Sequence, residues 1–306
     1  MRALALASYN LTFVANVDRF PAVGETLPAK SIRVEHGGKG SNQAIGLSRL
    51  GAKTQIIASV GNDAFGDMAI EKWKKEGIDV SYVRRAKAST GMAFVYLFPD
   101  ATNAIIISKN ANELLEENFV IKTVESSSFD VFLTVFEVKP EIALKAAHKA
   151  KEKGLAVLNP APALPLKPED LKGLKAITPN ETEIKIMAGL RPDENVNVEG
   201  LAELYSKYVE IVAVTLAEKG SLVIYNGKKK VLPPYKVKPV DVTGAGDAWN
   251  AAFTYMIAKG EDPFFAADFA NAAAAFLISR TREDKSLVEN LPYENEVYKI
   301  MEREKP

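Results

Sequence analysis

The stretch Ile211-Val212-Ala213-Val214-Thr215 is apolar without interruption until its last residue, and most of its side chains are β-branched. A strand with one face in water alternates polar and apolar residues. An unbroken run fits a strand buried on both faces, as in a parallel sheet covered by helices. Just downstream, residues 221–225 and 230–232 flank Asn226-Gly227, a dipeptide that favours the tight turn of a hairpin. Upstream, short apolar runs recur at residues 3–7, 55–60, 131–135, 155–158 and 176–178. Helical patterns lie between or after them, at residues 40–50, 65–76, 141–153, 181–188, 200–207, 245–258 and 263–279. Alternation of this kind predicts an α/β fold with a mainly parallel central sheet and helices on both faces.

Two regions break the pattern. Residues 11–33 hold short strand-like pieces around Pro21 and Gly24, and residues 90–108 read as strands 92–98 and 104–108 joined by a turn at Pro99-Asp100. These are antiparallel signals inside an α/β chain. A small sheet projecting from the main body explains both, and its natural use is to cover a ligand at the carboxyl ends of the parallel strands. No repeat, low-complexity stretch or linker divides the chain, so residues 1–306 are expected to form one domain with lid segments at 11–33 and 90–108.

Bulk composition narrows the chemistry. Hydrophobic residues are 47% and charged residues 25% of the 306, ordinary for a globular protein. Lys plus Arg and Asp plus Glu both number 39, so no global field recruits nucleic acid or an acidic membrane. Cysteine is absent, which removes disulfides and thiolate chemistry, and the two histidines, His36 and His148, argue against a His-based zinc site or a Ser-His-Asp relay. Glutamine occurs only at Gln43 and Gln55, which with the missing cysteine leans towards a hot habitat. The apolar start Met1-Arg2-Ala3-Leu4-Ala5-Leu6-Ala7 stops at Ser8-Tyr9-Asn10, too short for a signal peptide, and reads as a first buried strand. A cytoplasmic enzyme is expected.

Three segments carry chemistry. The segment Asp241-Val242-Thr243-Gly244-Ala245-Gly246-Asp247 follows a strand-like stretch and precedes a good helix, and its small residues let backbone N–H groups approach an anion at that helix's N-terminus. Asp247 falls in the first turn, beside that anion hole, where a carboxylate can take the proton of a hydroxyl attacking a phosphoryl group. The plain alternative is a glycine turn with a helix-stabilising Asp. Gly37-Gly38-Lys39-Gly40-Ser41-Asn42 opens another helix, and Lys39 and Asn42 offer donors and an acceptor for hydroxyls. It lacks the spacing of a Walker A loop. Thr178-Pro179-Asn180-Glu181-Thr182-Glu183 reads as a capping box, with Asn180 and Glu183 also placed to hold a hydrated Mg²⁺.

Residues 37–51, 159–163, 180–183 and 241–250 resemble, in order and spacing, the ribokinase branch of the PfkB carbohydrate kinase family, over nearly the whole chain. The resemblance implies a three-layer α/β sandwich with a β-sheet lid, commonly dimerised through that lid, and ATP-dependent phosphorylation of a sugar-type hydroxyl with Mg²⁺. It implies Asp247 as the base and the Gly244, Ala245, Gly246 and Asp247 amides as the anion hole. Asn10, Thr12, Gly38, Lys39, Asn42 and Glu137 correspond to sugar contacts. Asn180, Thr215, Gly220, Gly246 and Asn271 correspond to nucleotide contacts. Glu183 corresponds to the Mg²⁺ region, through water, and Asp241 and Thr243 to a monovalent-cation site.

Three positions depart from that pattern. Thr12 stands where the family usually carries Asp, so D-ribose should bind weakly unless a neighbour such as Asn10 substitutes. The charged stretch Arg280-Thr281-Arg282-Glu283-Asp284-Lys285-Ser286 replaces a small, Gly-containing stretch that helps enclose a monovalent cation, so little activation by K⁺ is expected. Ala217 stands where Gly is usual, which would alter the backbone's approach to the nucleotide. A Rossmann dehydrogenase is set aside, because Ser8-Tyr9-Asn10-Leu11 offers no GxGxxG after the first strand. Nucleoside kinase, fructose or other polyol kinase, and a non-catalytic sugar sensor stay as alternatives to ribose phosphorylation.

Overall fold

The computed structural model describes residues 1–99, 102–281 and 286–303. Asp100 of the expected Pro99-Asp100 turn, and residues 282–285 of the charged stretch, lie outside them. The first half of the chain runs β1 (Arg2–Leu6), β2 (Asn10–Asn16), β3 (Ser31–Gly37), α1 (Lys39–Arg49), β4 (Lys53–Gly61), α2 (Ala64–Lys75), β5 (Asp79–Ala86), β6 (Met92–Leu97), β7 (Asn103–Ser108), α3 (Glu117–Ser126) and β8 (Val131–Val135). There follow α4 (Pro140–Ala150), β9 (Leu155–Asn159), β10 (Ala176–Ile177), α5 (Glu181–Met187), α6 (Val198–Tyr205), β11 (Ile211–Thr215), β12 (Ser221–Tyr225), β13 (Lys228–Leu232), α7 (Ala245–Ala258), α8 (Pro263–Ile278) and α9 (Glu294–Arg303).

The main sheet has the order β13-β12-β11-β10-β9-β8-β1-β4-β5. All pairs from β11 to β5 are parallel, and the hairpin β12–β13 closes one edge antiparallel. Asn226 and Gly227 both have positive φ, 49° and 70°, as a two-residue hairpin turn of the favoured twist requires, so β13 begins at Lys228 rather than at 230. One face of the sheet, with Leu4, Phe132, Leu158 and Val212, packs on α3, α4, α5 and α6. On the other face Ala3, Leu133, Val157 and Ala213 pack on α7 and α8, while Ala5, Ile56 and Ala58 pack on α1 and α2. The result is the three-layer ribokinase-like architecture.

The lid is a four-stranded sheet, β3-β2-β6-β7. Its outer pairs are antiparallel, as expected, but β2 and β6 pair in parallel. The reason lies in the main sheet: β2 continues from β1 and β6 from β5, and those two strands run in the same direction. β3 occupies Ser31–Gly37, so the lid runs directly into the Gly38-Lys39 loop. Three elements have no counterpart in the sequence reading: β5, a half-exposed edge strand, and the helices α3 and α9. The segment before Asp241 forms no strand; Val240 and Asp241 are instead tied through their N–H groups to Ile278 O.

Candidate active site

The order of strands places a switch point between β1 and β8, because the chain moves from β1 towards β4 and β5 and then crosses back to β8. Ligands of open α/β sheets bind at the carboxyl ends of strands at such a point. Candidate residues gather there together with Ser8 and Asn159, which the sequence reading did not single out as site residues. Ser8 lies just past β1, Glu137 just past β8, Asn159 ends β9, Asn180 follows β10, and Thr215 ends β11. Asn180 and Thr215 meet in an isolated parallel bridge.

Asp247 enters this cleft from the first turn of α7 and is 7% exposed. Asn42 Nδ2 donates to its Oδ2 at 2.8 Å, and Gln43 Nε2 donates to its Oδ1 at 3.1 Å. Both amides come from α1, which crosses α7 closely: a Cβ added at Gly46 would come within 2.6 Å of Ala251 Cβ. The turn before α7 places Gly244 at φ 79°, a left-handed conformation suited to glycine. The Ala245 amide is taken by Val242 O at 3.2 Å, which removes it from the expected anion hole. A Cβ added at Gly246 would meet nothing within 4 Å, so there is room above that residue at the positive end of α7.

A second carboxylate, Glu137, accepts from Ser8 Oγ at 2.5 Å and from the Lys39 amide at 2.8 Å. Burial pushes its pKa above the ordinary value, partly offset by Lys39 and by those hydrogen bonds. Glu183 is likewise pushed up by burial against the opposing Asn180 N–H and Lys39. Lys39 answers them: burial works to lower its pKa, but Asp247, Glu137 and Glu183 outweigh it and hold the ammonium above the usual lysine value. One cation therefore sits among three carboxylates. The turn holding Lys39 depends on Gly38, at φ 96°, where any Cβ would strike Ser8 O at 2.8 Å.

Asn180 and Glu183 form the capping box of α5 in both directions: Asn180 Oδ1 accepts from Glu183 N at 2.7 Å, and Glu183 Oε2 accepts from Asn180 N at 2.8 Å. Among the described residues no cluster of three or more acidic or histidine side chains is spaced to cage a metal ion. Glu183 next to the cleft fits an ion held mostly by phosphates and water. Asp241 Oδ1 accepts from Thr243 N at 2.8 Å, which shapes the turn leading to Gly244.

The sequence profile described as pfkB family carbohydrate kinase matches residues 2–289. The chain belongs to the PfkB carbohydrate kinase family. Within this family it lies in the ribokinase-like branch. It is 33% identical over 301 residues to a ribokinase of Haemophilus influenzae, covering 97% of each chain. A ribokinase structure from Thermotoga maritima superposes with a TM-score of 0.89 at 33% identity, covering 99% of this chain and 100% of that one. An Arabidopsis thaliana ribokinase complexed with ribose and ATP gives 0.87 at 27% identity, with 98% of each chain covered.

Seen as a PfkB enzyme, the chain uses several family positions for architecture. Asn271 Oδ1 accepts from Ser221 Oγ at 3.0 Å and Trp249 Nε1 at 2.8 Å, and its Nδ2 donates to Leu232 O and Pro233 O, both at 3.1 Å. Its hydrogen-bonding capacity is thereby filled, so in this arrangement Asn271 braces the 232–233 turn instead of reaching into the cleft. Gly220 is required by packing, since a Cβ would lie 2.0 Å from Leu232 O. Ala217 has φ 49°, so the departure from Gly places a Cβ in left-handed backbone. Thr12 Oγ1 donates to Asn10 O at 3.3 Å, and Asn10 Oδ1 accepts from Asn112 at 3.1 Å.

Sequence reasoning missed Gln43 and Asn159. Gln43 Nε2 also donates to Asn159 Oδ1 at 2.9 Å, Asn159 Nδ2 donates to Thr178 O at 2.8 Å, Thr178 Oγ1 bonds Asn250, and Asn250 Nδ2 donates to Gly246 O at 2.8 Å. A closed polar network thus ties Asp247 to the turn that opens α7. Both residues lie inside the stretches that carry the resemblance, and a side-chain amide within those stretches was the available signal.

Proposed function

We propose that this carbohydrate kinase transfers the γ-phosphoryl group of ATP to the primary hydroxyl of D-ribose. The observation that carries the reading is Asp247: a buried carboxylate, fixed by two amides of α1, at the N-terminus of α7 and beside the open space over Gly246. Asp247 takes the acceptor's proton as the hydroxyl oxygen bonds to phosphorus and ADP leaves. The Gly246 and Asp247 amides, with the α7 dipole, stabilise the charge on the transferring group. Glu183, through water, would hold Mg²⁺, which when bound neutralises the phosphates. Lys39, Asn42 and Glu137 line the acceptor side, and Asn42 Oδ1, buried without a hydrogen-bond partner among the described residues, is an acceptor suited to a hydroxyl.

The whole chain acts as one catalytic unit in this reading, with the four-stranded sheet closing over the acceptor. Ile32, Val34, Phe94, Ile105, Ile106 and Ile107 expose apolar surface on that sheet, which supports a homodimer joined through the lids. No helix among the described residues is long and apolar enough to cross a membrane. The experiment is a coupled ADP-release assay with ATP and a panel of D-ribose, 2-deoxyribose, fructose, inositol and nucleosides. D-ribose is expected to give the highest kcat/KM. A higher value for another acceptor would replace ribose, and no turnover with any would remove the kinase reading.

A further inference from the structure

We infer that Glu35, on the lid strand opposite Thr12, is the carboxylate that binds the acceptor's adjacent hydroxyls and so determines specificity. The inference rests on the sugar-kinase reading above. Strand register pairs Thr12 with Glu35 and Asn10 with Gly37 across β2 and β3. Residues opposite one another in an antiparallel pair project from the same face, with Cβ atoms about 4.5–5.5 Å apart. Which face is settled by the intervening residues. Leu11 is in the core, the Phe13 ring packs against Phe65 of α2, and His36 Nδ1 lies 2.8 Å from Tyr9 Oη. Asn10, Thr12, Glu35 and Gly37 therefore share the other face. That face passes through Gly38 into Lys39, whose amide meets Glu137 in the cleft. A Cβ added at Gly37 would come within 2.4 Å of Thr12 Oγ1, so the side chains here are close together.

Glu35 is only 6% exposed although it lies in a projecting sheet. A glutamate is rarely buried unless it is engaged. Arg33 Nε donates to its Oε1 at 2.6 Å, which fixes the carboxylate's orientation. A carboxylate has two oxygens and can accept from two neighbouring hydroxyls at once; threonine has one short hydroxyl. Glutamate is one methylene longer than aspartate. Rising from the facing strand, it covers the ground a carboxylate at position 12 would cover. The ligand class is a vicinal diol of a furanose or comparable polyol.

The test measures KM for the acceptor, KM for ATP, kcat and Tm in the wild type, Glu35→Ala, Glu35→Gln and the double variant Thr12→Asp with Glu35→Ala. The acceptor is whichever polyol gives the wild type its highest kcat/KM. Loss of a charge-assisted hydrogen bond predicts an acceptor KM raised about 10- to 100-fold in Glu35→Ala, with ATP KM unchanged. The double variant should recover most of that loss, because the carboxylate returns to the same face. Glu35→Gln retains an oxygen for Arg33 and covers the case in which the alanine variant fails to fold; its acceptor KM should also rise. An unchanged acceptor KM in Glu35→Gln, or a rise that Thr12→Asp does not relieve, would overturn the inference. If the wild type turned over no polyol at all, the underlying kinase reading would fall first, and with it this one.

Discussion

Gln43 spends one amide on two acceptors, Asp247 Oδ1 and Asn159 Oδ1, and so couples the base to the end of β9. It contacts Asp247, the proposed base, so the role that follows for it is positioning. Replacing it with glutamate places a second carboxylate within hydrogen-bonding range of Asp247. Like charges at that distance raise the proton affinity of one of the pair. In Gln43→Glu the acid limb of the kcat/KM pH profile should move to higher pH by about one unit or more. An unmoved acid limb would contradict the placement of Gln43 beside the proposed base. Asp247 itself could be read from the sequence, because Gly-Ala-Gly-Asp before a helix has a physical use at an anion. The partner of Gln43 could not, since it lies 204 positions away. Thr12 is a similar case: its own chemistry was readable, while the residue facing it across the hairpin depended on register.

The helix α5 shows where local reading stops. Asn180 and Glu183 suit a capping box, and the same residues suit the edge of a metal site. The structure contains both cap hydrogen bonds, yet it also brings Glu183 near enough to Lys39 and Asp247 to feel their charges. Two substitutions separate the roles. Glu183→Gln keeps an oxygen for the Asn180 amide, so the fold should retain its stability. Glu183→Ala loses that cap bond and should be less stable by about 1 kcal/mol. Both should need more Mg²⁺ for half-maximal rate. Wild-type Mg²⁺ dependence in Glu183→Gln would leave Glu183 with the cap alone. Among the elements, buried strands such as β8 and β11 matched their sequence reading end to end, because unbroken apolar runs have one explanation. The edge strand β5 was not legible, as its exposed Arg84 and Arg85 mask the periodicity.

At the level of the whole molecule, the alternation of strands and helices makes the layered α/β architecture readable from the sequence. The order of the strands is not, since it depends on crossovers that leave no local mark. That order puts β1 beside β8 and creates the switch point where Ser8, Lys39, Glu137 and Asp247 converge. It also dictates the parallel centre of the lid, which the two hairpin signals alone did not disclose. In the proposed function, this architecture holds Asp247 as a base next to a phosphoryl-binding turn. The most direct measurement is single-site turnover of Asp247→Asn with ATP and the preferred sugar, beside calorimetric ATP binding. Loss of a general base predicts a kcat lower by about 10²–10⁴-fold with ATP affinity retained. Turnover near the wild-type rate would contradict the account.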